Sequence, residues 1–199
     1  MAVHGQPAKI GVFGGSFDPP QNGHIAVAKA VFDQLHLDLV LFVPAGDPWQ
    51  KHASSSVADR VDMVNLAIAG IDDFSVSTVD IDREGPTYTV DTLRDIATQF
   101  PQSQLYFIMG DDAFAGITTW KDFDKLGELA TLVVVSRHGN APEVPATLSP
   151  SVNLLEISAL PISSTMCRER IANGDSLEGI VPDKVAEYVA KHQLYRRNA

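Results

Sequence analysis

The sequence predicts one α/β domain built on a doubly wound parallel sheet, with helices packed on both faces. Short apolar runs alternate with amphipathic stretches along the chain, and strands that alternate with helices form parallel βαβ units. The 199 residues are the length of one domain, at about 150 residues per domain. Apolar residues make up 45% and charged residues 20% of the chain, an ordinary globular composition that argues against disorder.

Apolar segments predict six strands. A continuous apolar run that stops at Pro44 is typical of a strand buried on both faces. Another segment alternates apolar and polar residues, which also predicts a strand. In chain order, the predicted strands are Lys9–Phe13, Leu39–Val43, Phe74–Ile81, Leu105–Met109, Leu132–Val135 and Val152–Ile157.

Helices are predicted between these strands, where apolar residues recur at helical spacing. We expect Thr89 to cap one helix, Gly174 to end another and Pro182 to take the first position of the last. The predicted helices are His24–His36, Val57–Ile68, Thr89–Phe100, two short helices within Asp112–Leu129 around Thr118–Thr119, Ser164–Asn173 and Asp183–His192.

Charge and cysteine content exclude several classes of function. Fifteen basic and 25 acidic residues give a net charge of −10. A general nucleic-acid binder needs a broad cationic surface, so we expect no nucleic-acid partner, and positive charge that binds an anion must be local. The single cysteine, Cys167, excludes a disulfide framework and a thiolate-rich metal site. It favours a reduced cytosolic protein and hence a cytoplasmic location.

We expect neither a membrane span nor an export signal in this sequence. No apolar run approaches the roughly 20 residues that a membrane span needs, so no membrane partner is expected. The first residues, MAVHGQPAK, lack the apolar core of a secretory signal. We expect residues 1–8 to form a short flexible arm and residues 9–199 to form the domain.

The first predicted strand is followed by Gly-Gly-Ser-Phe-Asp-Pro-Pro-Gln-Asn-Gly-His, residues 14–24, called the glycine-rich loop below. Its two leading glycines let the backbone approach a phosphate. His24 falls at the start of the next helix, where unpaired N–H groups and the helix dipole favour negative charge. On the glycines alone, a simple turn followed by a helix-capping surface histidine is the favoured interpretation. Neither the dinucleotide-binding G-x-G-x-x-G pattern nor a P-loop matches.

Other strand ends carry residues suited to a nucleotide, because ligands of such sheets bind at the carboxyl ends of the strands. Lys51 follows the second strand and is a mobile point charge suited to phosphates. Asp112 follows the fourth strand, where a carboxylate can hold ribose hydroxyls. Trp120 lies in a polar loop and can stack on a flat ring. A solvated lysine and a packed aromatic ring are the ordinary alternatives.

The final block reads Leu-Pro-Ile-Ser-Ser-Thr-Met-Cys-Arg, residues 160–168. Its hydroxyl side chains lie at a predicted helix start, beside free N–H groups. Arg168 lies one turn into that helix and can form a fork with phosphate oxygens. A helix cap followed by a surface arginine is the commoner arrangement when such a block stands alone.

The glycine-rich loop resembles the signature of the nucleotidyltransferase superfamily, G-G-[ST]-F-D-P-x-[HT]-x-G-H. One position departs, since Gln21 stands where most members have His or Thr. Glutamine can donate a hydrogen bond but carries no charge. The blocks P-x-G-x-P-x-x-K, G-P-T-Y-T-x-D-T-L, G-x-D and I-S-S-T-x-x-R follow in order. Together they resemble the bacterial nicotinate-nucleotide adenylyltransferases, from about Lys9 to Arg196, and the Trp49–Lys51 form is similar to actinobacterial members. The related phosphopantetheine adenylyltransferases share the first loop and the Ser-Ser-Thr block but lack the 88–93 element.

This resemblance implies a Rossmann-like fold and adenylyl transfer from ATP to nicotinate mononucleotide, giving deamido-NAD and pyrophosphate. Mg²⁺ would arrive with ATP, without a metal site made of protein ligands. The implied catalytic residues are His24, Lys51 and Arg168. The implied ATP-binding residues are Gly14, Ser16, Phe17, Gln21, His24, Gly110, Asp112, Ile162, Ser163, Ser164, Thr165 and Arg168. The implied nicotinate mononucleotide-binding residues are Gly15, Ser16, Lys51, Thr89, Trp120 and Arg137.

Alternatives remain open at this point. The same fold can act on nicotinamide mononucleotide or on phosphopantetheine. A degenerate member impaired by Gln21 would bind nucleotides without turning them over. The resemblance is compatible with a homo-oligomer but does not specify one.

Overall fold

The computed structural model describes residues 7–48, 53–136, 143–157 and 160–196. Six strands form one all-parallel sheet in the order β3-β2-β1-β4-β5-β6. They are β1 (Lys9–Gly15), β2 (Leu39–Pro44), β3 (Phe74–Val76), β4 (Gln104–Gly110), β5 (Thr131–Ser136) and β6 (Val152–Glu156). The predicted Rossmann-like doubly wound sheet is confirmed. Its strand order reverses between β1 and β4, which is where ligands of such sheets bind.

Eight α-helices connect the described strands or follow them. They are α1 (Asn22–Leu35), α2 (Val57–Ile68), α3 (Val79–Asp82), α4 (Thr89–Gln99), α5 (Asp111–Phe114), α6 (Leu126–Leu129), α7 (Ser164–Asn173) and α8 (Asp183–Lys191). Gly174 ends α7 in the left-handed conformation with φ of 79°, so the predicted C-terminal cap is confirmed. Two 3₁₀ turns separate α5 from α6, where the sequence predicted only two short helices.

The predicted strand Phe74–Ile81 is wrong beyond Val76. The chain turns into α3 instead, because the Thr78 carbonyl accepts the amides of Ile81 (2.8 Å) and Asp82 (2.9 Å). The Thr78 hydroxyl also donates to the Asp82 carboxylate at 2.7 Å. These local bonds give the backbone an alternative to continuing along the edge of the sheet.

The predicted capping role of Thr89 is also wrong. Tyr88 is the N-cap residue of α4, without a side-chain capping bond, and Thr89 is the first helical residue. The hydroxyl of Thr92 bonds to the Tyr88 carbonyl at 3.1 Å and to the buried Asp80 carboxylate at 2.6 Å. In α8, Pro182 is the N-cap residue, one position before the predicted place.

Apolar side chains fill both faces of the sheet. Helices α1 and α2 cover one face through residues such as Val31 and Val64, and α4 covers the other through Leu93, all fully buried. A third cluster joins α2, α7 and α8 around the free thiol of Cys167. Burial raises the pKa of this thiol to about 11, so it behaves as a small core side chain. None of the helices in the described ranges is long and apolar enough to cross a membrane.

Candidate functional site

The glycine-rich loop and the start of α7 meet beyond the carboxyl end of β1. The Ser164 hydroxyl donates to the Pro19 carbonyl at 2.9 Å. The Arg168 guanidinium donates to the Asp18 carbonyl at 2.7 Å. Segments 145 to 150 residues apart in sequence, both predicted to bind phosphates, therefore line one site.

The first part of the loop folds back on itself. Phe17 adopts the left-handed conformation with φ of 48° and is 2% exposed. Its ring covers Gly15 so closely that a Cβ there would lie 3.1 Å from the ring. The Phe17 ring is thus part of the core, and the predicted ATP contact of this residue can come only from its backbone.

His24 is held in a fixed orientation. Its Nδ1 accepts the Gln21 amide at 3.1 Å, so the neutral ring carries its proton on Nε2. The Phe13 and Phe17 rings pack edge-on against it, with centroids 6.0 and 5.2 Å away. This arrangement makes Nε2 a positioned hydrogen-bond donor at the start of α1.

Gln21 caps α1 from a buried position, with 1% of its surface exposed. Its Oε1 accepts the amides of Gly23 and His24, and its Nε2 donates to the Ile162 carbonyl at 3.2 Å. The Asn22 amide donates to the Ile180 carbonyl at 2.9 Å. The expectation of unpaired N–H groups at the start of α1 is therefore wrong, because protein acceptors take these amides. Direct contact of Gln21 with ATP stays a prediction.

The cap should contribute measurably to stability. Replacing Gln21 with alanine removes the acceptor of two helix amides, and we expect a loss of about 1 kcal/mol and a Tm about 2–4 °C lower. Thermal denaturation followed by circular dichroism measures this shift. The matched control is Gln99→Ala at the exposed end of α4. Equal Tm values for the two variants would contradict the capping role.

The start of α7 differs from that of α1. Ser163 is the N-cap residue, and it accepts the Met166 amide on its hydroxyl at 3.1 Å and the Cys167 amide on its carbonyl at 3.0 Å. No acceptor within the described ranges takes the amides of Ser164 and Thr165. Together with Arg168 they form a set of donors suited to an anion.

The predicted ribose site lies at the end of β4. Asp112 is exposed in the first turn of α5. A Cβ added to Gly110 would meet no atom within 4 Å, so there is open space beside this glycine. Gly110 and Asp112 therefore lie beside open space at the end of β4, the strand next to β1 where the strand order reverses.

Trp120 packs on the face of the sheet that α4 covers. Its ring meets that of Phe107 edge-on, with centroids 6.3 Å apart. The Phe107 ring in turn lies 3.4 Å from where a Cβ of Gly14 would be. Lys121 follows Trp120, and its Nζ lies 4.6 Å from the centroid of the Tyr88 ring. Tyr88 directly precedes Thr89 in the sequence. The segments that carry Trp120 and Thr89 therefore lie beside each other, and binding of a pyridine ring by these two residues stays a prediction.

Two predicted residues, Lys51 and Arg137, lie outside the described residues. The segment that leads toward Lys51 is anchored at its start, where the Asp47 amide donates to the Thr87 hydroxyl at 3.2 Å. The Thr87 amide donates back to the Asp47 carbonyl at 2.9 Å. This segment therefore leaves the sheet beside the start of α4.

Comparison with known proteins identifies the chain. The cytidylyltransferase-like family model matches residues 12–170. A relative from Leifsonia xyli subsp. xyli, "Probable nicotinate-nucleotide adenylyltransferase", is 47% identical over 188 residues and covers 94% of both chains. A relative of the same name from Corynebacterium glutamicum is 48% identical over 194 residues, covering 95% of this chain and 89% of its own. The chain belongs to the nicotinate-nucleotide adenylyltransferase family.

Solved structures agree on the fold of this adenylyltransferase. Nicotinic acid mononucleotide adenylyltransferase from Plasmodium falciparum, complexed with NaAD, superposes with a TM-score of 0.78 at 21% identity, covering 94% of this chain and 97% of its own. The same enzyme complexed with APC gives a TM-score of 0.76 at 20% identity. The family resemblance predicted from the motifs is confirmed.

The candidate site also contains a buried arginine that the sequence motifs did not indicate. Arg60 of α2 is 1% exposed and donates to the carbonyls of Ser16 (3.0 Å) and Ala45 (2.6 Å). Its Nε is buried without a partner in the described part of the chain. Burial lowers the pKa of Arg60, and the nearby Asp18 carboxylate opposes this shift. Arg60 therefore joins the loops that follow β1 and β2 and places a cation behind them.

The position of Arg60 in the apolar pattern of α2 does indicate that it is buried. It occupies the buried stripe of α2 that continues through Met63, Val64 and Ala67, at spacings of three, four and seven residues. A cation on an otherwise apolar stripe must find acceptors inside the protein, which points to the loops at the end of the sheet.

Across the four described ranges, no three His, Cys, Asp or Glu side chains are grouped closely enough to hold a metal ion.

Proposed function

We propose that the chain transfers the adenylyl group of Mg²⁺-ATP to the phosphate of nicotinate mononucleotide, giving deamido-NAD and pyrophosphate. The observation that carries this proposal is the contact of the glycine-rich loop, at whose end His24 lies, with the start of α7, which carries Arg168 and the Ser164 and Thr165 amides. In a chain of net charge −10, this local set of donors is suited to a polyphosphate.

The reaction is a single displacement at the α-phosphorus. An oxygen of the mononucleotide phosphate forms a bond to this phosphorus, and the bond to the bridging oxygen of the β-phosphate breaks. Pyrophosphate leaves with the electron pair of that bond. The attacking phosphate is already ionised, so no general base is needed, and positioning and charge neutralisation supply most of the rate.

Donors around the phosphates have distinct roles in this scheme. The His24 Nε2–H donates to the α- or β-phosphate as negative charge moves toward the leaving group. Arg168 and the amides of residues 163–165 hold the pyrophosphate end. Lys51 reduces the repulsion between the two substrates' phosphates. Gly14, Ser16 and Phe17 contribute backbone contacts.

The nucleosides are bound on either side of the phosphates. Gly110 and Asp112 hold the ribose of adenosine, in the open space beside the end of β4. Trp120 stacks on the pyridine ring, and Thr89 with nearby backbone donors binds its carboxylate. Arg137 is a further candidate for contact with an anion. We place this reaction in the cytoplasm.

Product analysis tests the proposal. The purified chain, incubated with Mg²⁺-ATP and nicotinate mononucleotide, should form deamido-NAD and pyrophosphate in equimolar amounts, as measured by mass spectrometry and a coupled phosphate assay. A preparation of Arg168→Ala, purified identically, controls for contaminating activity. Hydrolysis of ATP without deamido-NAD, or equal product from both preparations, would contradict the proposed function.

A further inference from the structure

The carboxylate of Asp18 lies buried at the junction of three segments, with 2% of the residue exposed. It accepts the amides of Ser54 (2.5 Å) and Ser55 (3.2 Å) and the hydroxyl of Ser55 (2.5 Å). The phenol of Tyr195, after α8, donates to it at 2.6 Å. These donors are all neutral, and the nearby Arg60 guanidinium donates to the carbonyls of Ser16 and Ala45 instead. The glycine-rich loop is thus tied both to the segment before α2 and to the end of the described chain.

The same residue also binds Arg168, the cation that the proposed function assigns to the pyrophosphate end. The Asp18 backbone carbonyl accepts Arg168 at 2.7 Å, while its carboxylate is occupied by the neutral donors. Arg168 has no carboxylate within salt-bridge distance in the described part of the chain. Its positive charge therefore remains available for phosphates, although the residue it bonds to carries a carboxylate.

The backbone conformation and a second hydroxyl contact hold Tyr195 in place. It adopts the left-handed conformation with φ of 62°, and its hydroxyl lies 3.1 Å from the Ser55 hydroxyl as well. Burial, followed by the hydrogen bond to Asp18, raises the pKa of Tyr195 well above its ordinary value. The phenol consequently stays protonated and donates throughout the neutral pH range.

We propose that Tyr195 is a positioning residue for adenylyl transfer, which keeps the Asp18 carboxylate turned toward residues 54 and 55 and away from Arg168. Without the phenol donor, the carboxylate can turn to pair with Arg168. That ion pair would neutralise the guanidinium and withdraw it from the pyrophosphate end. The inference rests on the proposed function, because the role of Arg168 is part of it.

The test compares two tyrosines that each lose only a hydroxyl. Tyr195→Phe removes the donor to Asp18. Tyr188→Phe is the matched control, because its hydroxyl joins α8 to α2 through Asp59 (3.0 Å) and Asp62 (3.1 Å). We expect Tyr195→Phe to lower kcat/KM for Mg²⁺-ATP about tenfold, with KM for nicotinate mononucleotide changed less than about twofold. Tyr188→Phe should leave both parameters within about twofold of the unaltered chain.

Further measurements separate positioning from folding. Ser55→Ala, which removes another donor to Asp18, should shift kcat/KM for Mg²⁺-ATP in the same direction and serves if Tyr195→Phe does not fold. Equal kinetic effects of the two phenylalanine variants, or no effect of Tyr195→Phe, would overturn the inference.

A readout without turnover distinguishes this inference from the proposed function. Amide hydrogen exchange of Ser54 and Ser55 should be faster in Tyr195→Phe than in Tyr188→Phe, since their acceptor is loosened. If the unaltered chain forms no deamido-NAD, the proposed function fails by itself. Unchanged exchange at both amides would then overturn the positioning role as well, and faster exchange would support the link from Tyr195 to Asp18.

Discussion

Replacing His24 with alanine should lower kcat by about 10²–10³-fold, which corresponds to about 3–4 kcal/mol of transition-state stabilisation. The reason is geometric. The Gln21 amide occupies Nδ1, so the donor that His24 directs to a phosphate is Nε2–H. Negative charge moves to the leaving pyrophosphate only as the bond to it breaks, so the loss should fall on kcat more than on KM. Steady-state kinetics of pyrophosphate release measure both parameters.

A second histidine on the same helix provides the control. His36 ends α1 in the left-handed conformation with φ of 51° and is exposed. His36→Asn suits that conformation, since asparagine tolerates it, and should leave kcat unchanged. If kcat of His24→Ala fell by less than about threefold, the role of His24 as a phosphate donor would be wrong.

Replacing Arg60 with methionine should destabilise the fold by about 3 kcal/mol, lowering Tm by about 6–12 °C. Methionine fills much of the same volume but leaves the carbonyls of Ser16 and Ala45 without their buried donor. Each of these carbonyls belongs to a loop at the carboxyl edge of the sheet, so the loops should also lose their fixed separation. Denaturant titration gives the free energy of unfolding directly.

An exposed arginine on α4 is the matched control for this change. The Arg94 side chain is 45% exposed and pairs with Asp91 at 3.1 Å. Because exposed ion pairs contribute little, Arg94→Met should cost less than about 1 kcal/mol. If Arg60→Met were as stable as Arg94→Met, Arg60 would not hold the two loops together.

The sheet and its ligand edge could be predicted from the sequence because they depend on local patterns. Continuous apolar runs such as Leu132–Val135 and helical periodicity such as that of Val57–Ile68 are read within one segment. The strands are then expected to run parallel, because they alternate with helices along the chain. The sequence after Val76 still alternates as a strand does, so the pattern alone predicts a longer strand than the structure has. The Thr78 hydrogen bonds that turn the chain into α3 are not visible in that pattern.

The long-range hydrogen bonds within the candidate site could not be predicted from such local patterns. Gln21 was assessed as a substitute phosphate donor, whereas its oxygen caps α1 and its nitrogen reaches Ile162, 141 residues away in sequence. Likewise, Arg60 on α2 and Tyr195 beyond the end of α8 bond to the glycine-rich loop from distant parts of the chain. Such contacts depend on how α2 packs against the sheet and how α8 packs against α2, and no sequence motif shows this packing.

Acceptor preference tests the central claim most directly. Initial rates of pyrophosphate release from Mg²⁺-ATP would be compared with nicotinate mononucleotide, nicotinamide mononucleotide and phosphopantetheine at equal concentrations. The site around His24, Arg168 and Trp120 predicts the fastest release with nicotinate mononucleotide. Faster release with either other acceptor, or no release with any of them while ATP still binds, would contradict it.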